Sequence, residues 1–368
     1  MRVLEVITGG EAGGAQRHVV DLARGLSAAG DAVVVAHGGG HWLDQQTGVQ
    51  TVYVPELLSA IAPARDSRAF FRLLAVARTA RPDVIHGHSS KGGSMARAVG
   101  RWLHIPTVFT AHGLVFLDPT RHPWERRLYR GVERWGARRA AAVIAVSRRD
   151  EEAARSLGAR RVALIENGVD VPITMWKRPE HRRPTLGFLG RFSREKGFEQ
   201  LLAAARDLTS APRLLVAGDG PLALAWQRQA AASGLAVQFR GWQEAPLQFL
   251  AELDALVIPS WKEGLPYSLL DALAFGVPTV VTDVGGMGDA VRPLDPGLVA
   301  PVGDVSALSA AITRALGISR DFSTRARDHI RRHFDRATMV ARTRAVLLDA
   351  ATLRLETGGR GRTEEVVS

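Results

Sequence analysis

Ser260-Trp261-Lys262-Glu263-Gly264-Leu265-Pro266-Tyr267-Ser268-Leu269-Leu270-Asp271-Ala272-Leu273-Ala274-Phe275-Gly276-Val277-Pro278 decides how the rest of the chain is read. An apolar run from Ala255 to Pro259 leads into it and has the length of a buried strand. Glu263 falls in the turn, and Asp271 follows eight residues later in what reads as a helix. Pro266 suits the first helical position, where its missing N–H is not needed. Gly264 is expected to give the turn an unusual backbone. A strand, a sharp loop and a helix start make a place where backbone amides and the helix dipole favour an anion. Two carboxylates beside it can accept hydroxyl hydrogens. Phosphate next to polyol points to a sugar nucleotide.

The same strand–loop–helix grammar extends outward in both directions. Arg2 to Ile7 reads as a buried parallel strand, followed by Thr8-Gly9-Gly10-Glu11-Ala12-Gly13-Gly14-Ala15, a helical pattern through Leu26, and a second strand from Ala32 to Ala36. This is one turn of a doubly wound sheet. The glycine loop matches neither G-x-G-x-x-G nor a P-loop. Further strands are expected over Asp83 to His86, Pro106 to Thr110, Ala141 to Val146 and Val162 to Ile165. Ligands gather outside the carboxyl ends of such strands, which places Gly14, Lys91, His112 and Asn167 at a binding edge. Prolines 172, 179 and 184 mark a linker, and a second α/β series starts at Thr185. The expected plan is an α/β chain with domains at 1–171 and 185–325, a linker at 172–184, and a helical segment at 326–353 packing back on the first domain. A disordered tail is expected at 354–368.

At 368 residues the chain fits two domains of moderate size, and 46% hydrophobic content supports real cores. It has no cysteine, which excludes disulfides, thiolate nucleophiles and zinc–cysteine sites. No signal peptide or spanning segment is read, so a cytoplasmic location is expected, peripheral on the inner face of the plasma membrane. The formal charge is +11. Residues 121–161 hold twelve arginines against five acids, a net of +7. Such a stripe can meet an anionic membrane surface, nucleic acid or a phosphorylated substrate, or be ordinary helix-surface arginine; Trp124, Tyr129 and Trp135 among the arginines tilt the reading toward a membrane interface. No nucleic-acid motif is present.

Several strand-end motifs carry a resemblance. Glu263 to Asp271, within Glu-Gly-Leu-Pro and Ala-Leu-Ala-Phe-Gly-Val-Pro, is similar to the E-x-x-x-x-x-x-x-E motif of the retaining glycosyltransferases of family four. Gly13-Gly14-Ala15, Thr110-Ala111-His112-Gly113, Asn167-Gly168-Val169-Asp170 and Gly190-Arg191-Phe192-Ser193-Arg194-Glu195-Lys196-Gly197 fit the same family in order and placement. The resemblance covers the chain to about residue 350 and implies the GT-B fold, two facing Rossmann-like domains with a donor cleft between them.

The resemblance also implies roles. Arg191 and Lys196 hold the donor diphosphate, with helix-start amides near Gly264 and Leu265 sharing its charge. Glu263 binds donor-sugar hydroxyls and Asp271 the ribose diol. His112 sits by the donor sugar, Gly14 lets the first loop approach the diphosphate, and Gly241 and Trp242 frame the base. Lys91 and His88 are candidates for acceptor binding. The family's second acid is usually glutamate; Asp271 is one methylene shorter, roughly 1.5 Å of reach. The chain contains no Asp-x-Asp, the arrangement that holds a divalent metal in many glycosyltransferases, so no metal or cofactor is expected. The implied activity is transfer of a sugar from a UDP- or GDP-linked donor to a glycan or lipid-linked acceptor, as in bacterial members that build surface polysaccharides. The alternatives are a nucleotide-sugar epimerase of the same fold, or a basic membrane- or nucleic-acid-binding protein with a decayed site.

Overall fold

The structure, a computed structural model, describes residues 1–179, 183–319 and 321–359. The chain divides into two units. The first takes Met1–Phe116, Pro123–Glu166 and the chain from Ala337 onward; the second takes Leu117–His122 and Asn167–Arg336.

The first unit is built on β1 (Arg2–Ile7), β2 (Ala32–His37), β3 (Gln50–Tyr53), β4 (Val84–His88), β5 (Thr107–Ala111), β6 (Ala142–Ala145) and β7 (Val162–Leu164), in the order β3-β2-β1-β4-β5-β6-β7. Every pairing is parallel. Parallel strands need crossovers, supplied here by α1 (Gly14–Ala28), α2 (Trp42–Gln46), α3 (Pro63–Ala80), α4 (Ser90–Leu103), α5 (Pro123–Ala137) and α6 (Arg148–Ser156). With helices on both faces, β4, β5 and β6 are buried at every position. The strand order reverses between β1 and β4, the switch point outside which ligands gather in sheets of this kind.

The second unit repeats the plan with β8 (Thr185–Leu189), β9 (Arg213–Ala217), β10 (Ala236–Gly241), β11 (Ala255–Ile258), β12 (Thr279–Thr282) and β13 (Val299–Ala300), all parallel, in the order β10-β9-β8-β11-β12-β13. Its helices are α7 (Phe198–Arg206), α8 (Ala223–Ala232), α9 (Pro246–Ala251), α10 (Tyr267–Phe275), α11 (Met287–Val291), α12 (Val305–Leu316) and α13 (Asp321–His333). Trp226 of α8 stacks on Phe198 of α7 at 4.6 Å and meets Phe188 of β8 edge-on at 5.3 Å. This aromatic core sets the α7 and α8 side of the sheet. The order reverses between β8 and β11, so the loops carrying Arg191, Lys196 and Glu263 diverge from one switch point.

The last helix, α14 (Arg336–Gly359), returns to the first unit. Its Met339, Leu347 and Ala350 belong to the same buried cluster as Val19, Leu22 and Leu26 of α1. Burial of each large apolar side chain contributes about 1.5–3 kcal/mol. Arg344 Nε reaches Asp31 at 2.7 Å, and the same carboxylate holds the Met1 ammonium at 2.9 Å.

Several boundaries differ from the sequence reading. The expected helical segment 326–353 is two helices in different units, broken where Val169 N–H bonds to the Phe334 carbonyl at 2.8 Å. The second unit begins at Asn167, ahead of the expected boundary at 171, and borrows residues 117–122. Part of the expected linker packs firmly: Trp176 is buried, its backbone N–H bonded to Phe275 O and its Nε1 to Leu253 O at 3.0 Å. Residues 180–182 of that linker lie outside the described residues. Helix α14 runs through Gly359 into the stretch expected as tail, and 360–368 lie outside the described residues. No helix among the described residues is long and apolar enough to cross a membrane.

Helix α5 has one face without cover. Trp124, Leu128 and Trp135 recur at near-helical spacing and are 59%, 49% and 40% exposed. The opposite face carries Glu133 and Gly136, both buried. Arg127, Arg130, Arg134 and Arg138 are exposed along the flank. Trp135 shares a groove with Phe70, Arg101 and Trp102, which joins the apolar row to α3 and α4.

Candidate functional site

The second unit holds its chemistry in the turn between β11 and α10. Lys196 Nζ donates to Glu263 Oε1 at 2.6 Å, and Ser260 Oγ donates to the same oxygen at 2.8 Å. Ser260 is itself fixed, since its carbonyl accepts from Thr282 Oγ1 at 2.6 Å. The turn's backbone is braced at successive points. Gln200 Nε2 holds Pro259 O at 2.7 Å, Glu195 O accepts from Trp261 N–H at 2.8 Å, and Gly264 O accepts from Gly286 N–H at 2.7 Å. Asn167 Nδ2 closes the set on Leu265 O at 2.6 Å.

Two glycines outside the turn let this packing exist. A Cβ on Gly197 would lie 2.1 Å from Pro259 O, and one on Gly285 would lie 2.1 Å from Gly264 O; both residues have positive φ, +65° and +57°. The unusual backbone expected at Gly264 is not a left-handed one, because Gly264 is not among the positive-φ residues. Its carbonyl is the object that Gly285 must accommodate. Pro266 also stands one place earlier than expected, as the cap residue before α10, with its carbonyl accepting from Leu269 N–H at 3.2 Å. Asp271 lies in the second turn of α10 and is half-buried.

Arg191 follows β8 and is exposed, and Lys196 ends the short 3-10 turn Arg194–Lys196. Gly241 ends β10 with φ +65°, and Trp242 beside it is 53% exposed. This unit therefore presents two cations, a carboxylate, a helix start and an exposed indole from the carboxyl ends of β8, β10 and β11.

In the first unit the carboxyl edge carries a buried chain of titratable groups. Glu5 of β1 takes His88 Nε2 at 2.6 Å and His86 Nδ1 at 3.0 Å, and all three side chains are fully buried. His86 Nε2 pairs with Thr110 Oγ1 at 2.7 Å. His88 Nδ1 lies 3.1 Å from Nε2 of His112, which stands just past β5 and is half-buried. Burial pushes the Glu5 carboxyl up, but the charge of His86 and hydrogen bonds from His86 and His88 outweigh it and hold the group well below the usual carboxylate range. Burial, then the charge of His86, pushes His88 down to about 4 against the opposing pull of Glu5. Gly14 is exposed as the first residue of α1.

A family model described as Glycosyltransferase Family 4 matches residues 12–172, and one described as Glycosyl transferases group 1 matches residues 183–317. The 2-deoxystreptamine N-acetyl-D-glucosaminyltransferase of Streptomyces fradiae is 30% identical over 303 residues, covering 73% of this chain and 67% of that protein. The chain belongs to glycosyltransferase family 4. A glycogen synthase of Mycobacterium tuberculosis is 28% identical over 383 residues, covering 92% and 91% of the two chains. Among solved structures, Anabaena HepE in complex with UDP and glucose superposes with a TM-score of 0.79 at 19% identity, over 94% of this chain and 99% of that one. The chain is a glycosyltransferase with the GT-B fold of two Rossmann-like domains.

Within this family 4 chain the structure pairs Lys196 with Glu263, which Gly264 and Leu265 follow in the same turn. It relocates three other candidates. His88 is fully buried with both ring nitrogens engaged by Glu5 and His112, so it lies beneath His112, where an acceptor cannot reach it. Lys91 is held by Asp66 at 2.6 Å and by the Ala60 carbonyl, which occupies its charge. Asn167 is a brace of the second unit's turn, not part of the first unit's edge. Sequence reasoning missed Glu5, Ser260, Thr282 and Gln200. The signal for Glu5 was present: a carboxylate inside an otherwise apolar strand, with histidines at 86 and 88 sharing one sheet face.

Proposed function

We propose that this family 4 enzyme is a retaining transferase that takes a UDP- or GDP-linked sugar and passes the sugar to a hydroxyl of a lipid-linked or polysaccharide acceptor. The Lys196–Glu263 pair, held at 2.6 Å in a braced turn at the start of α10, carries this reading. Glu263 Oε1 is already engaged by Lys196 and Ser260, so Oε2 is the oxygen assigned to sugar hydroxyls. Lys196 has three N–H donors and gives one to Glu263. Its others, with Arg191 and the amides at the α10 start, offset the charge of a departing diphosphate. Asp271 is assigned to the ribose diol, and Gly241 and Trp242 to the base. In the first unit, Gly14 offers bare backbone at a helix start and His112 a ring nitrogen to a sugar hydroxyl. No side chain is placed as a covalent nucleophile, which favours attack on the same face, with the leaving phosphate taking the acceptor proton. Without an Asp-x-Asp, these cations are assigned the work of a metal.

A thermal-shift panel of nucleotide sugars in EDTA tests this. One UDP- or GDP-sugar at a hundredfold excess over its Kd should stabilise by about 2.7 kcal/mol, or roughly 5–10 °C. The product formed in EDTA should keep the donor's anomeric configuration. Isomerised sugar from donor alone would make the protein an epimerase, and absolute dependence on magnesium would remove the metal-free reading.

The uncovered face of α5 supports an anionic membrane as the place where acceptor is met. Of the arginines in 121–161, Arg121, Arg155 and Arg161 are paired with Asp118, Glu151 and Asp349 at 3.5, 2.6 and 2.8 Å, while α5 itself carries Arg127, Arg130 and Arg134 exposed. Its acids are withdrawn: Glu133 is buried and Glu125 only half-exposed. Vesicles containing anionic phospholipid should bind the protein, and wholly zwitterionic ones should not. Replacing Arg127 and Arg130 by Glu removes at least two contacts worth about 1 kcal/mol each, a loss of roughly thirtyfold. Equal binding to both vesicle types would sink this assignment.

A further inference from the structure

We propose that Glu5 and His88 are positioning residues that fix the His112 ring in the tautomer bearing its proton on Nε2, so that Nδ1 is the nitrogen that accepts from a substrate hydroxyl. The inference rests on the reading of His112 as a sugar-hydroxyl contact and adds the machinery behind it.

The geometry runs in one direction. Glu5 is acceptor-only when ionised, so the 2.6 Å contact requires His88 Nε2 to carry a hydrogen. His86 Nδ1 must likewise donate to the same carboxylate at 3.0 Å. A fully buried His88 beside these groups stays neutral, which leaves its Nδ1 with a lone pair. The 3.1 Å contact to His112 can then form only if His112 Nε2 donates. In the neutral ring that places the lone pair on Nδ1.

The groups facing this chain come from four elements. Glu5 lies on β1, His86 and His88 on β4, and Thr110 on β5 with His112 just beyond it. His18 of α1 meets the His112 ring edge-on, with centroids 4.7 Å apart. Parallel pairing holds the chain in register, since Glu5 and His86 are partners between β1 and β4, and His86 and His88 alternate to one face. A ring fixed in this way loses neither orientation nor proton position when substrate arrives, which is what preorganisation of a hydroxyl contact requires. The ring nitrogens and carboxylate here are also close enough to hold a metal ion, as Glu5/His86/His88 or as His18/His88/His112. Ligation would replace the same hydrogen bonds, so the two readings exclude each other.

The test is nitrogen NMR of the full chain labelled with 15N-histidine, with the His112 signals assigned through His112→Gln. The result expected near pH 7.5 is an Nε2-protonated His112 in the unaltered protein. Glu5→Gln and His88→Phe should each convert it to a mixture or to the Nδ1-protonated form. They should also lower kcat about tenfold to a hundredfold, with a smaller change in KM and a displaced pH profile. The unaltered protein alone decides the matter if the variants fail to fold. An Nδ1-protonated His112, or one equivalent of bound zinc in the purified protein, overturns the proposal. So does a tautomer unmoved by folded Glu5→Gln and His88→Phe. If no sugar is transferred but the tautomer is as stated, the transferase reading of His112 fails while the relay stands.

Discussion

Glu263→Ala lowers sugar transfer by about a hundredfold to a thousandfold, and Lys196→Ala does the same, with the second unit's fold intact in both. The expectation follows from where the two side chains sit. They form one pair at 2.6 Å, with side chains 10% and 21% exposed, at the point where the proposed diphosphate and sugar hydroxyls meet. The turn does not depend on the pair for its shape. Asn167 still holds Leu265 O, Gln200 still holds Pro259 O, and Gly286 N–H still bonds to Gly264 O. A partly exposed ion pair contributes about 1 kcal/mol or less to stability, so melting temperature should move by only a few degrees. Because each residue positions the other, the double variant should be little worse than either single one. Release of nucleoside diphosphate measures the loss directly. Near-normal turnover in either single variant would remove the site assignment.

A stability loss of about 3–5 kcal/mol is expected for Glu133→Ala in the first unit. Arg97 of α4 and Glu133 of α5 form an ion pair at 3.3 Å with side chains 1% and 2% exposed. The guanidinium lies 4.4 Å over the Phe109 ring, and Gly136 leaves room for it. Burial lowers the pKa of Arg97 and raises that of Glu133, each against the pull of the other. Removing the carboxylate strands a buried cation, whose Nε and Nη1 already have no hydrogen-bond partner among the described residues. Replacing both, Arg97→Met with Glu133→Leu, should recover most of the loss, since well-packed apolar side chains often match a buried pair. Calorimetry should show the first unit's transition fall by about 10 °C in the single variant and largely return in the double. A double variant as unstable as Glu133→Ala would show that the pair itself carries the packing of α5.

The turn between β11 and α10 was legible because its pattern is local: strand, turn, carboxylate and helix start follow one another within twenty residues. The parallel sheets were legible for a related reason, since strands buried on both faces are written as short apolar runs. What could not be read depends on partners distant in sequence. Glu5 meets His88 across 83 positions through β1–β4 pairing, and Asn167 meets Leu265 across 98. Position 285 has to be glycine because a Cβ there would meet the Gly264 carbonyl, which no local pattern announces. The break between α13 and α14 carries no proline or glycine, because it is made by pairing of Phe334 and Asp335 with Val169.

The return of α14 to the first unit has a consequence for how the protein is made. The seat for Met339, Leu347 and Ala350 on α1 is formed by the earliest part of the chain and filled by the last. Between Glu166 and Ala337 the ribosome must add roughly 170 residues, about 10–30 s of synthesis at ordinary rates. For that interval, while the second unit is being made, the first waits with an open apolar groove. A gene shortened before Met339 leaves that groove permanently unfilled, so such a product is destined for aggregation or proteolysis, whatever remains of its catalytic residues.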